Sequence, residues 1–106
     1  MADQDEVFRN YSGDIEADTY VLRLFITGAS PNSIRAVENI KTICEEHLAG
    51  RYELEIIDIH QQPELAEGED VIALPLMIKK SPLPVRRMIG DMSDTKRVLK
   101  GLGLGS

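Results

Sequence analysis

No tryptophan, one cysteine and two histidines stand in 106 residues, and these scarcities narrow the chemistry before any pattern is read. With Cys44 as the single thiol no internal disulfide can close, in keeping with a reducing compartment. Cys44 and His47 make a Cys-x-x-His pair with His60 as the remaining histidine, which falls short of the four donors of a structural zinc site. No metal and no cofactor are therefore expected. Long apolar runs are missing too: Tyr20–Ile26 and Val71–Ile78 are the longest, well under the roughly 20 residues that cross a bilayer. Acids occupy the N-terminus, where a secretory signal carries a basic and then an apolar run. The expectation is a cytoplasmic protein with no membrane partner. Basic charge is in deficit, with 12 Lys and Arg against 18 Asp and Glu for a net charge of -6. Such a surface repels phosphate backbones and anionic headgroups, so nucleic acid is not an expected partner.

What is present suits one small domain, because 42% of the residues are apolar and the length leaves no room for a second core. Residues 1–18 are polar and acidic with no period, and are expected to form a flexible N-terminal arm to a domain over 19–106. The run from Tyr20 to Thr27 is apolar enough for a central strand covered on both faces. Ser30 and Pro31 then offer a helix cap and a first-turn proline. Ile34, Val37, Ile40, Cys44 and Leu48 follow at helical spacing as the expected buried stripe, opposite Arg35, Glu38, Lys41 and Glu45, and Gly50 stops the helix.

Tyr52–Ile59 reads as a second strand, parallel to the first because a helix connects them. Pro63 opens a short acidic helix containing Glu64 and Glu67, with Glu69 and Asp70 following. Leu74–Ile78 and Val85–Ile89 read as antiparallel strands joined through Pro82 and Pro84. Ser93 is the expected cap of a last helix through Val98 and Leu99 that decays at Gly101 and Gly103. The order βαβαββα is that of a single-domain, thioredoxin-like α/β fold.

Redox proteins of that fold carry a Cys-x-x-Cys at the start of the first helix, where the helix N-terminus lowers a thiol pKa. Here the position reads Ala29-Ser30-Pro31-Asn32, so disulfide exchange by that route is excluded. Cys44, in the middle of an apolar stripe, is expected to be a neutral core thiol. Nothing marks a base to activate Ser30, and Gly28 lacks the further glycines or lysine of a nucleotide-binding loop.

The segments 20–36 (Tyr-Val-Leu-Arg-Leu-Phe-Ile-Thr-Gly-Ala-Ser-Pro-Asn-Ser-Ile-Arg-Ala), 56–59 (Ile-Ile-Asp-Ile), 63–67 (Pro-Glu-Leu-Ala-Glu), 73–76 (Ala-Leu-Pro-Leu) and 84–94 (Pro-Val-Arg-Arg-Met-Ile-Gly-Asp-Met-Ser-Asp) resemble the KaiB family of clock proteins. The resemblance implies a non-enzymatic adaptor that binds a KaiC-type ATPase ring, with Arg86, Arg87, Glu67, Asp70 and Arg35 as partner-binding residues. It also implies a thioredoxin-like state, an alternative oligomeric ground-state packing, and hence a possible homo-oligomer, dimer or tetramer. Pro31, Pro75 and Gly101 are the residues expected to decide the fold, with Pro75 as the cis-proline of the thioredoxin-like state. In this sequence Glu53 and Glu55 occupy the strand edge that in the family meets KaiA, where known members have small or basic residues, which argues against a KaiA partner. Asp70 stands where clock members carry a lysine. The competing expectations are a KaiB-like sensor domain of a two-component histidine kinase and, further off, a redox enzyme on the same scaffold.

Overall fold

The computed structural model describes residues 19–71 and 73–104; the acidic arm over 1–18 lies outside the described residues. Seven elements follow one another: β1 (Tyr20–Ile26), α1 (Pro31–His47), β2 (Tyr52–Asp58), a 3-10 turn (Pro63–Ala66), β3 (Leu76–Ser81), β4 (Arg86–Ile89) and α2 (Thr95–Leu102). The strands form one sheet in the order β2-β1-β3-β4. The apolar run that suggested a central strand is central, between a parallel neighbour, β2, and an antiparallel one, β3. The β3–β4 pair is antiparallel, as the short connection requires. This is the thioredoxin-like arrangement expected from the element order.

Alternation along β1 sends side chains to two different cores. Leu22 and Leu24 join Met77 and Met88 beneath both helices, against Ala36, Ile40, Cys44, Leu48, Val98 and Leu102. Phe25 faces the other way and packs with Ile57, Leu76 and Ile78 under the segment that carries Leu65, Val71 and Leu74. Each of these aliphatic side chains contributes on the order of 2 kcal/mol when removed from water.

Helix α1 begins as its sequence dictates: the Ser30 side chain accepts from the Ser33 amide, and Pro31 occupies the first turn. Its buried face is rotated from the expected stripe. Ser33, Ala36, Ile40, Ile43 and Cys44 are buried, whereas Ile34 is 47% exposed. The small side chains of Ser33 and Ala36 let the first turns approach β1 closely, and Ser33 satisfies its hydroxyl by accepting from the Thr27 amide.

Other boundaries also move. Asp94, not Ser93, caps α2, accepting from the Arg97 amide at 3.1 Å. The helix runs past Gly101, and Gly103 ends it at φ 81°, a left-handed conformation that glycine adopts without a Cβ clash. Strand β3 starts after Pro75 and continues through the polar residues Lys79, Lys80 and Ser81, because β1 pairs with it along that length. Strand β4 begins at Arg86, leaving Val85 outside it. The Leu74–Pro75 peptide bond is cis, and so are Ser81–Pro82 and Leu83–Pro84. No helix among the described residues is long and apolar enough to cross a membrane.

Candidate functional site

At the start of α1, the place of the redox thiols in thioredoxins, three hydroxyl residues close the strand-to-helix turn. Ser30 Oγ donates to Ser33 Oγ at 2.8 Å, accepts from the Ser33 amide at 3.2 Å and lies 3.5 Å from Thr27 Oγ1. Ser33 Oγ also accepts from the Thr27 amide at 3.1 Å. These groups are occupied in holding the turn, and none of their hydrogen bonds among the described residues goes to a His or a carboxylate. The one thiol is elsewhere: Cys44 is fully buried, and burial, with the Glu45 charge adding to it, pushes its pKa up to about 11. Burial in a core favours the neutral thiol, so Cys44 supplies no nucleophile near neutral pH. Among the described residues no group of three His, Cys, Asp or Glu side chains could hold a metal.

The surface chemistry gathers around β4. Its residues alternate between faces, yet Arg86, Arg87 and Ile89 are all exposed and only Met88 is buried. The cause is position: β4 is an edge strand, and Met88 is the residue it sends into the core shared with Val98 and Leu102 of α2. Arg87 faces the side opposite the helices. There its guanidinium donates to the Asp70 carbonyl, and Nη1 stands 3.9 Å from Glu69 Oε1. Glu69 also pairs through Oε2 with the Lys80 ammonium. With only 16% of its side chain exposed, Glu69 ties β3 and β4 to the segment that follows the 3-10 turn. Leu83, 79% exposed, and Val85, 50% exposed, extend this edge as an apolar tip.

Arg86 leaves on the helix side, directly across the ladder from Lys79. Lys79 is only 3% exposed. Burial lowers its pKa first, and the Arg86 charge lowers it further.

Arg35 is found at the other end of the sheet, on the first turns of α1. Its Nε donates to Asp91 Oδ2 at 3.2 Å and its terminal nitrogen to Asn32. Asn39 binds the Asp91 carbonyl at 2.9 Å, so the β4–α2 turn is fastened to α1 at two points. The Ser93 side chain and amide, then Arg35, hold the Asp91 carboxyl below its ordinary pKa. Glu67 is exposed at the end of the 3-10 turn.

The five expected partner-binding residues therefore fall in separate places. Arg87 meets Asp70, though through its backbone carbonyl; Arg86 stands alone beside Lys79; Arg35 belongs to the α1 fastening; Glu67 makes no described side-chain bond. Glu69 was named only as part of the acidic segment, and its pairing with Lys80 and Arg87 was not foreseen; Lys80, Asn39 and Asp91 were not singled out by the sequence. The Lys79-Lys80 pair that follows the apolar residues of β3 was the available signal for one of these clusters, since successive strand residues must serve opposite faces.

Family and structural likenesses agree with this geometry. Residues 23–104 match the model of the KaiB domain. The chain is 48% identical over 86 residues to the circadian clock oscillator protein KaiB of Synechococcus elongatus, covering 81% of this chain and 84% of that protein. It is equally 48% identical to the protein of the same description from Nostoc punctiforme, over 81% of this chain and 83% of the relative. Among solved structures, the N-terminal domain of Synechococcus elongatus SasA superposes with a TM-score of 0.65 and 25% identity, covering 82% of this chain and 86% of that domain. The Drosophila melanogaster thioredoxin Deadhead superposes with a TM-score of 0.66 at 13% identity, over 85% and 84% of the two chains, a likeness of fold alone.

Proposed function

Because the chain belongs to the KaiB family, we propose that it acts as a binding adaptor for a KaiC-type ATPase ring, modulating circadian or stress-related signalling without chemistry of its own. The observation that carries the reading is the open β4 edge, where Val85, Arg86, Arg87 and Ile89 all meet solvent on a sheet whose helix-start thiols are replaced by a closed hydroxyl turn. A strand edge with no pairing strand among the described residues, flanked by cations and aliphatic side chains, offers main-chain hydrogen bonds, charge and apolar contact together. Arginine suits such a contact because its planar fork binds carboxylates bidentately.

The reading does not include a KaiA-type partner. Glu53 is exposed on the outer edge of β2, and Glu55, also exposed, pairs with Arg23 at 3.0 Å. A partner strand adding to that edge must meet acid there, and like charges across an interface are penalised. The thioredoxin-like packing is the form that binds the ring in this proposal.

The test is capture of a KaiC-type ring from the source cytosol by the native chain, with ATPase activity followed in the captured material. Arg86→Ala and Arg87→Ala should each weaken capture about tenfold, the loss of a charge-assisted hydrogen bond. No ring captured in any nucleotide state overturns the proposal. The superposition on the SasA domain favours a second reading, a sensor module of a histidine kinase system. Competition separates the two: an adaptor displaces a SasA-type sensor domain from the ring, whereas a sensor module raises autophosphorylation of a cognate kinase.

A further inference from the structure

We propose that Lys79 and Arg86 form an oxyanion-binding site on the helix side of the β3–β4 ladder, suited to phosphate or carboxylate. The two residues are direct partners in the antiparallel register, so their side chains leave the same face side by side. Two like charges so placed destabilise a ladder. The described residues do not relieve them: the ion pairs there, Arg23–Glu55, Arg35–Asp91, Lys80–Glu69 and Arg87–Glu69, reach neither cation. Glu69 is spent on the opposite face of the sheet, on Lys80 and Arg87.

Lys79 is the second and independent observation. It is 97% covered, since only 3% of its surface is exposed, and its cross-strand neighbour on the other side is the fully buried Leu22. A buried cation that no ion pair among the described residues reaches carries an uncompensated desolvation cost. Arg86, by contrast, is exposed and leaves the site open to solvent. An oxyanion seated between them accepts from the guanidinium fork and the ammonium at once, and removes both the repulsion and the unpaired charge. The lowered proton affinity of the Lys79 amine, caused by burial and then by Arg86, is the electrostatic signature of the same unmet need. The net charge of -6 supplies no general attraction for anions, so binding here rests on local geometry. None of these steps depends on the ring-binding reading.

The experiment is an amide NMR titration of the full chain in phosphate-free buffer, first with inorganic phosphate and separately with a short aspartate-containing peptide. Saturable shifts are expected at residues 78–80 and 86–88, and Lys79→Met and Arg86→Ala should each weaken them about tenfold. Saturation by both ligands supports the site as a general oxyanion receptor; saturation by phosphate alone identifies a free-phosphate site, and by the peptide alone a site for a partner's carboxylate. A melting scan without added anion is the second measurement, in which Lys79→Met should melt higher than the native chain. The proposal is overturned by shifts that fail to saturate with either ligand, by saturation that survives in Lys79→Met, or by a Lys79→Met variant that melts lower than native.

Discussion

Gly101 of α2 lies so close to Met88 of β4 that a Cβ at position 101 would stand 2.5 Å from the methionine sulfur and 2.8 Å from its terminal methyl. Glycine inside a helix costs about 1 kcal/mol against alanine, so this position trades helix propensity for contact between the last helix and the sheet. The obstructing atoms are the far end of a flexible side chain. Shortening that side chain should therefore release the propensity gain: Gly101→Ala is expected to be more stabilising in a Met88→Leu background than in the native one, by about 1 kcal/mol. Urea midpoints of the four proteins in the cycle check this, and additivity within about 0.5 kcal/mol sinks it.

Cys44 should titrate only in alkali. Its folded pKa of about 11 is raised above the ordinary 9.0, so the stabilisation it provides is complete below pH 9.0 and is lost as the pH rises towards 11. Unfolding free energy measured across that interval should fall more steeply for the native chain than for Cys44→Ala, which lacks the titrating thiol. A thiol-specific reagent at pH 8 should label the folded protein far more slowly than the urea-unfolded chain.

Asp91 has the opposite sign. Its carboxyl is held below 3.8 by Ser93 and then Arg35, so its contribution is present above that pH and disappears as the pH falls through the lowered value. Asp91→Asn should lower the urea midpoint at pH 7, and the gap to native should close as acid protonates the native carboxyl. A gap that persists unchanged at pH 2 would assign the effect to the Asn39–carbonyl contact instead.

Glu69 is expected to act as a staple. It joins Lys80 and Arg87 while mostly shielded from water, so Glu69→Gln should cost about 1–2 kcal/mol, the range for hydrogen bonds to charged groups reduced by partial exposure. The loss should be local. Hydrogen exchange should speed up across residues 63–75 while the amides of β1 keep their protection.

Much of the fold was legible because it follows from short-range chemistry. The unbroken apolar run of β1 demanded cover on both faces, Ser30 and Pro31 marked the start of α1, and the connection lengths set the parallel and antiparallel pairings. The place of Cys44 in the core followed from its spacing with Ile40 and Leu48. Ile34 misled because helical period identifies a stripe only to within about one residue on either side. Which side is buried depended on Ser33 finding the Thr27 amide. Ser93 misled because it and Asp94 are both competent caps, and the turn geometry assigned Ser93 to Asp91. Strand β3 extended past its apolar residues because a ladder continues as long as its neighbour offers hydrogen bonds, whatever the side chains are.

The amino-acid sequence determined the element order, the family and the absence of thiols at the first helix, since each of these is carried by residue identity at adjacent positions. The tertiary structure alone decided which charges meet. Glu69 with Lys80 and Arg87, Arg35 with Asp91, and Lys79 beside Arg86 are separated by 7 to 56 positions along the chain. Electrostatic pairing acts through space over a few ångströms, so only the folded sheet, with its register and its two faces, could say which of these ions would be partnered and which not.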